Sequence, residues 1–216
     1  MFPMKTILSA LLVFCWLATL PVEAGGPIAW VTQTKAELLA ARVADGDSFG
    51  MTVASPTGKR VKRTFRIYGA DCPEIGTRVN LLVERIGEQA KHFGVNPEDI
   101  QAWGKKATEY TLELLKNGEP VVRTLGTMGE DAPGSANDPQ RRYALVEVST
   151  PDGNRRMLHE FLIENGLARA HGQAAPWPER TARHLGEEKA KEWFMKNLGR
   201  IEKKARNDGR GIWKKP

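Results

Sequence analysis

The chain has 216 residues, with 32 Lys+Arg against 26 Asp+Glu, for a formal net charge of +6. Its 41% hydrophobic and 27% charged residues are the composition of an ordinary globular protein, which excludes a disordered chain and a multi-span membrane protein. The excess charge sits at one end: residues 179–216 carry 12 Lys+Arg and 6 Asp+Glu, and the preceding residues balance. Such a tail suits a polyanion, nucleic acid or an anionic membrane, or is a solvated helix face.

Lys5, the apolar run Ile7–Leu20 and Val22-Glu23-Ala24 have the pattern of a secretory signal peptide, residues 1–24, cut after Ala24. The expected product is a secreted or periplasmic single domain, residues 25–216; only an uncleaved leader would tie it to a membrane. Cys15 falls in that leader. Cys72 is then the one cysteine of the domain and forms no internal disulfide.

From Glu37 to Gly69 the pattern suits strands, and the β-prone stretches Ala41–Ala44 and Ser48–Ala54 flank Asp45-Gly46, a tight-turn dipeptide. Pro56-Thr57-Gly58 predicts a second turn. Beyond it, Val61, Phe65 and Ile67 share one strand face and Thr64, Arg66 and Tyr68 the other. Leu81–Phe93 reads as a short helix within a longer connection, residues 75–101. That connection is expected to be a surface insertion; covering the neighbouring cleft or binding a partner is the alternative. Asn96 as cap, Pro97 at the first position and Glu98 and Asp99 in the first turn start a longer helix. Trp103, Ala107, Tyr110 and Leu114 form its apolar stripe, and Asn117-Gly118 ends it.

Val121–Leu125 predicts a fourth strand, and Gly126–Gln140 a polar loop. Ala144, Val146 and Val148 alternate with Tyr143, Leu145 and Glu147 in a fifth strand. Met157/Phe161 and Leu158/Leu162 pair on a helix that Asn165-Gly166 closes. Phe194, Leu198, Ile201 and Ala205 mark a last, basic helix packed on the strands, with Trp213 as its anchor. Five short strands and three or four helices in this order predict an α+β fold, a small OB-type Greek-key barrel with helices.

Several chemistries are excluded by their motifs. No Walker A, G-x-G-x-x-G or G-x-S-x-G element is present. His159-Glu160 lacks the second histidine of a zinc protease, and Asp45-Gly46-Asp47 lacks the remaining ligands of an EF-hand. Three segments combine acids with arginines: 44–48, 64–74 and 140–146. If adjacent, the carboxylates of Asp47 and Asp71 can hold a hard divalent cation. Glu74 can orient or deprotonate water, and two arginines can clamp a phosphate. These are the parts of phosphodiester hydrolysis. Taken singly, the same residues read as a hairpin turn, a loop and a wet strand face.

The motif Val43-Ala44-Asp45-Gly46-Asp47-Ser48, followed by Phe65-Arg66-Ile67-Tyr68-Gly69-Ala70-Asp71-Cys72-Pro73-Glu74, resembles the staphylococcal nuclease (thermonuclease) family. The resemblance continues through Arg141–Val146, Met157–Glu160, Glu164–Ala168 and Gly211-Ile212-Trp213. It implies a five-stranded OB-type barrel with three helices. It further implies Ca²⁺-dependent cleavage of DNA and RNA to 3′-phosphate ends, with no stable protein partner. Asp47, Asp71 and the backbone carbonyl of Cys72 are the implied metal ligands, with Mg²⁺ or Mn²⁺ as other ions such oxygens accept. Asp45 takes an outer role near the metal. Glu74 is the implied general base, and Arg66 the first phosphate-binding arginine. Arg141 is preferred over Arg142 as the second, because that register turns Ala144 and Val146 inward and keeps Glu147 out. Cys72 is expected to fill a loop as a small residue; the alternative is a reactive thiol beside the metal. Pro139-Gln140 replace the family's Tyr-Gly, and nucleotide-contacting tyrosines are replaced near Gly172 and Ala174. A non-catalytic OB-type nucleic-acid-binding module is the alternative function.

Overall fold

The computed structural model describes residues 29–33, 35–54, 58–76, 80–126, 141–176 and 183–214. The expected signal peptide, the turn at 55–57 and most of the 126–140 loop lie outside them. Strands β1 (Ala29–Gln33), β2 (Glu37–Asp45), β3 (Ser48–Ala54) and β4 (Arg60–Ile67) come first, then the two-residue β5 (Ala70–Asp71). Helices α1 (Asn80–Phe93) and α2 (Pro97–Asn117) follow, then β6 (Val121–Gly126), β7 (Arg141–Ser149) and β8 (Arg155–Met157). Helix α3 (Leu158–Glu164), β9 (Arg169–Ala170) and helix α4 (Glu187–Asn207) complete the order.

One mixed sheet runs β1-β6-β7-β4-β3-β2, with β8 on β7; β5 pairs separately with β9. The five expected strands are β2, β3, β4, β6 and β7, with β2 at one edge. Numbered among themselves they run 1-2-3-5-4, and the third and fifth are parallel. That is an OB-type arrangement, whose barrel is partly open. Among the described residues no ladder joins β2 back to β1, so the sheet is not closed by hydrogen bonds. Among the described residues the α+β class and four α-helices match the expected three or four.

Alternation builds the core. Phe49, Met51 and Val53 of β3, Phe65 and Ile67 of β4, and Ala144, Val146 and Val148 of β7 are all buried on the inner face. Helix α2 covers them with Ala107, Leu114 and Leu115, and α4 adds Phe194 and Leu198. Pro97, Glu98 and Asp99 start α2 as expected, but the Asn96 side chain makes no cap bond; its carbonyl accepts from Asp99 N–H at 3.0 Å.

β2 begins at Glu37, where the strand pattern starts, and two register shifts, at Leu39/Val43 and Val43/Asp45, interrupt its alternation. Two further expectations need correction. β1 is an added edge strand on β6. Trp213 does not anchor on the barrel. It joins a second apolar cluster with Ile86, Ala90 and Phe93 of α1, Ile100 and Ala205, and its ring lies 4.8 Å from that of Phe93. Among the described residues no helix is long and apolar enough to cross a membrane.

His159 on α3 is buried against Phe194, at 5.2 Å between rings, and burial lowers its pKa to about 3. In the unfolded chain a histidine takes its proton near pH ~6.5, so between these values only the unfolded state is protonated and acid favours it. Stability is expected to fall by about 1.4 kcal/mol per pH unit from this residue as pH drops below ~6. Urea unfolding of wild type and His159→Leu between pH 7 and 4 checks this: the variant should lose less stability to acid.

Candidate active site

Two registers assemble the acids and arginines. In the β3/β4 ladder Ser48 stands opposite Arg66, and Ile67 N–H donates to the Asp47 carbonyl at 3.0 Å. This brings the Arg66 guanidinium to Asp47, with Nη1 3.1 Å from Oδ1 and Nη2 3.3 Å from Oδ2. In the short β5/β9 ladder Asp71 stands opposite Arg169. The Arg169 Nε donates to Asp71 Oδ2 at 2.9 Å, and Arg66 Nη2 reaches Asp71 Oδ1 at 2.9 Å. Cys72 N–H donates to Asp47 Oδ2 at 2.9 Å, tying the two acidic segments together. Asp45 Oδ1 accepts from Asp47 N–H at 3.2 Å, so Asp45 shapes the turn that presents Asp47.

Helix α2 makes this closeness possible. At Gly104 a Cβ would meet the carbonyl oxygens of Pro73 and Glu74 at 2.5 and 2.8 Å. At Gly46 a Cβ would meet Cys72 Sγ at 2.8 Å and Ala107 backbone at 3.0 Å. Only residues without side chains let the helix, the turn and the Glu74 segment approach this far. Thr111 Oγ1 then donates to the Gly46 carbonyl at 2.8 Å.

The connection at 75–101 is not an indifferent insertion. Its helix α1 sends Arg85 and Gln89, one turn apart, into the cluster. Arg85 Nη2 lies 2.6 Å from Asp71 Oδ1 and 2.8 Å from Glu74 Oε1. The fully buried Gln89 uses its whole amide: Nε2 donates to Asp71 Oδ2 and to the Cys72 carbonyl, and Oε1 accepts from Glu74 N–H, each at 2.9 Å. Glu88 pairs with Arg169 at 3.0 Å. Neither Arg85, Gln89 nor Arg169 is among the site residues read from the sequence. The i,i+4 spacing of Arg85 and Gln89 is the one local signal, and it does not say what they face.

The acids divide electrostatically. Burial raises the Asp71 carboxyl, but Arg85, the Gln89 amide, Arg169 and Arg66 together outweigh it and hold it below its ordinary value. Burial raises Asp47 well above its ordinary value and Asp45 adds to this, against Arg66. Burial also raises Glu74, with Arg85 opposing. Asp45 is raised by burial too. Burial disfavours the charged Arg66, but Asp47, Asp45 and Asp71 outweigh that and keep its proton bound.

Arg141 pairs with Thr64 across the parallel β4/β7 ladder, so it shares the sheet face of Thr64 and Arg66, one strand over. Arg142 pairs with Phe65 and shares the face of Ala144 and Val146. Glu147 lies outward between Arg123 and Arg155, at 3.1 and 2.7 Å.

Donor chemistry at the site suits a hard cation: Arg66 Nη2 links the Asp47 and Asp71 carboxylates, and Gln89 Nε2 links Asp71 to the Cys72 carbonyl. Their oxygens are at the same time engaged by Arg66, Arg85, Arg169 and Gln89. Among the described residues no three His, Cys, Asp or Glu side chains stand arranged to hold a metal ion.

A family model described as staphylococcal nuclease homologue matches residues 64–215. The chain belongs to the staphylococcal nuclease homologue family and is a nuclease-type or nucleic-acid-binding module. The matched segment includes Arg66, Asp71, Cys72, Glu74 and Arg141, as well as Arg85, Gln89 and Arg169, while Asp45 and Asp47 precede it. No curated protein matches the chain.

Cys72 is a buried free thiol whose pKa burial pushes well up, with Asp47 adding to the effect. It packs in the main core as a small residue, not as a reactive group. Native protein at pH ~8 is expected to resist iodoacetamide for hours and to be alkylated once unfolded in guanidinium. Mass spectrometry checks this; equal labelling of both states would contradict the burial argument.

Proposed function

We propose that this protein hydrolyses phosphodiester bonds of DNA and RNA, leaving 3′-phosphate ends, as a secreted or periplasmic enzyme. The observation that carries the reading is Glu74, half of whose carboxylate is held by Arg85 beside the paired Arg66–Asp47–Asp71 cluster. Burial raises the Glu74 proton affinity, which suits a group that must take a proton from water. Arg66, kept charged by three acids, supplies fixed positive potential for a phosphate and its transition state. Arg141, on the same sheet face, is the second phosphate partner.

Asp47, Asp71 and the Cys72 carbonyl are the residues that would hold Ca²⁺, whose role when bound is to neutralise the phosphate. The remaining steps belong to the chain. Gln89 fixes the Glu74 backbone so that its carboxylate keeps one orientation toward the cluster. Arg66 and Arg141 orient the phosphate, Glu74 accepts the proton of the attacking water, and the 5′-oxygen departs.

Single-stranded DNA incubated with Ca²⁺ is expected to yield 3′-phosphate products, and chelator to suppress them. Glu74→Gln should lower the rate by about 10²–10⁴-fold, and Arg66→Ala by at least about 10². Gel analysis with end-group mapping measures both. Tight, salt-sensitive DNA binding without product would instead favour the non-catalytic module.

A further inference from the structure

The cluster contains more positive charge than a cation site needs. Four carboxylates, Asp45, Asp47, Asp71 and Glu74, face three arginines, Arg66, Arg85 and Arg169. The three differ in how firmly they are held. Arg169 is 4% exposed and locked between Asp71 and Glu88 by the β5/β9 register. Arg66 is 11% exposed and shared by Asp47, Asp71 and Ser48. Arg85 is 31% exposed, reaches in from α1 on a long side chain, and touches the cluster through Nη2 alone. That nitrogen sits between Asp71 Oδ1 and Glu74 Oε1, one atom from each of the acids read as cation ligand and water-activating base.

Removing Arg85 from this position would leave four carboxylates against two arginines. With Glu88 still paired to Arg169, the site then lacks one cation at the point where Asp71 and Glu74 meet. The same movement would free Glu74 Oε1 and leave Asp71 Oδ1 to Arg66 alone. Gln89 and its three bonds would keep the Asp71–Glu74 segment in shape meanwhile.

We propose that Arg85 sets the cation affinity of this site: its guanidinium competes with the divalent ion for Asp71, and the ion enters only in exchange for it. The proposal rests on the reading of Asp47 and Asp71 as cation ligands. Arg85 thus acts as an affinity-determining residue, brought by helix α1.

The test is direct Ca²⁺ titration by calorimetry on the purified protein without nucleic acid. Arg85→Ala is expected to bind Ca²⁺ at least about tenfold more tightly than wild type, in line with loss of a competing charge at contact distance. Arg85→Gln, which keeps a hydrogen-bonding side chain, should gain similarly, and Arg85→Lys, which keeps the charge, should gain less. Arg200→Ala, on the exposed side of α4, should match wild type. Thermal melts identify which variants are folded, and Arg85→Gln serves if Arg85→Ala is not. A folded Arg85→Gln protein that binds Ca²⁺ no more tightly than wild type overturns the proposal, as does an equal gain in Arg85→Lys and Arg85→Gln. The titration involves no cleavage. A tighter-binding variant of a protein that cleaves nothing would therefore keep this inference and remove the hydrolytic reading.

Discussion

The Asp71 carboxylate is fully buried, and the rest of the site is organised around keeping it charged. A buried ion unpaired costs several kcal/mol, so each of its partners must be held in place by the fold. Arg66 comes from β4, Arg169 from β9, and Arg85 and Gln89 from α1. The carboxylate thereby fastens three separate parts of the chain to the two-residue strand β5. The same pairing sets the electrostatic character of the cluster: Asp71 is held ionised, while Asp47 and Glu74, with weaker compensation, bind protons more readily.

That arrangement depends on where α1 lies, and α1 lies where it does because of the C-terminal segment. Ile86, Ala90 and Phe93 on one side of α1 pack with Ile100, Ala205, Ile212 and Trp213. Glu202 of α4 adds a polar tie, accepting from Ala170 N–H at 2.9 Å and meeting His92 at 2.5 Å. The basic tail suggested a polyanion by its charge. Its apolar side is what the structure uses, to hold in place the helix that completes the acid–arginine cluster.

Much of the site was legible locally. Asp47 follows the turn dipeptide Asp45-Gly46, and Arg66 lies on the outward face of an alternating strand. Hydrophobic alternation in β7 also leaves Arg141 on the Arg66 face of the sheet. What was not legible involves burial of polar groups. The pattern of α1 says that Ile86, Ala90 and Phe93 face something apolar. It says nothing of Arg85 and Gln89, which on composition alone belong in water. β1 was missed because five residues with no flanking turn signal carry little periodic information. The bulges of β2 were not legible, because a register shift depends on the partner strand and not on the strand's own sequence.

The amino-acid sequence alone determined the elements whose side chains repeat with a period: β3, β4, β7, α2 and α4. With them came the order of acids and arginines along the chain, because periodicity and turn chemistry are properties of neighbours. Only the tertiary structure decided which cations meet Asp71. Arg85 is 14 residues away in sequence and Arg169 98, and their approach depends on a two-residue ladder and on glycines that let backbones come close. Such contacts are selected by the packing of whole elements, which no local pattern records.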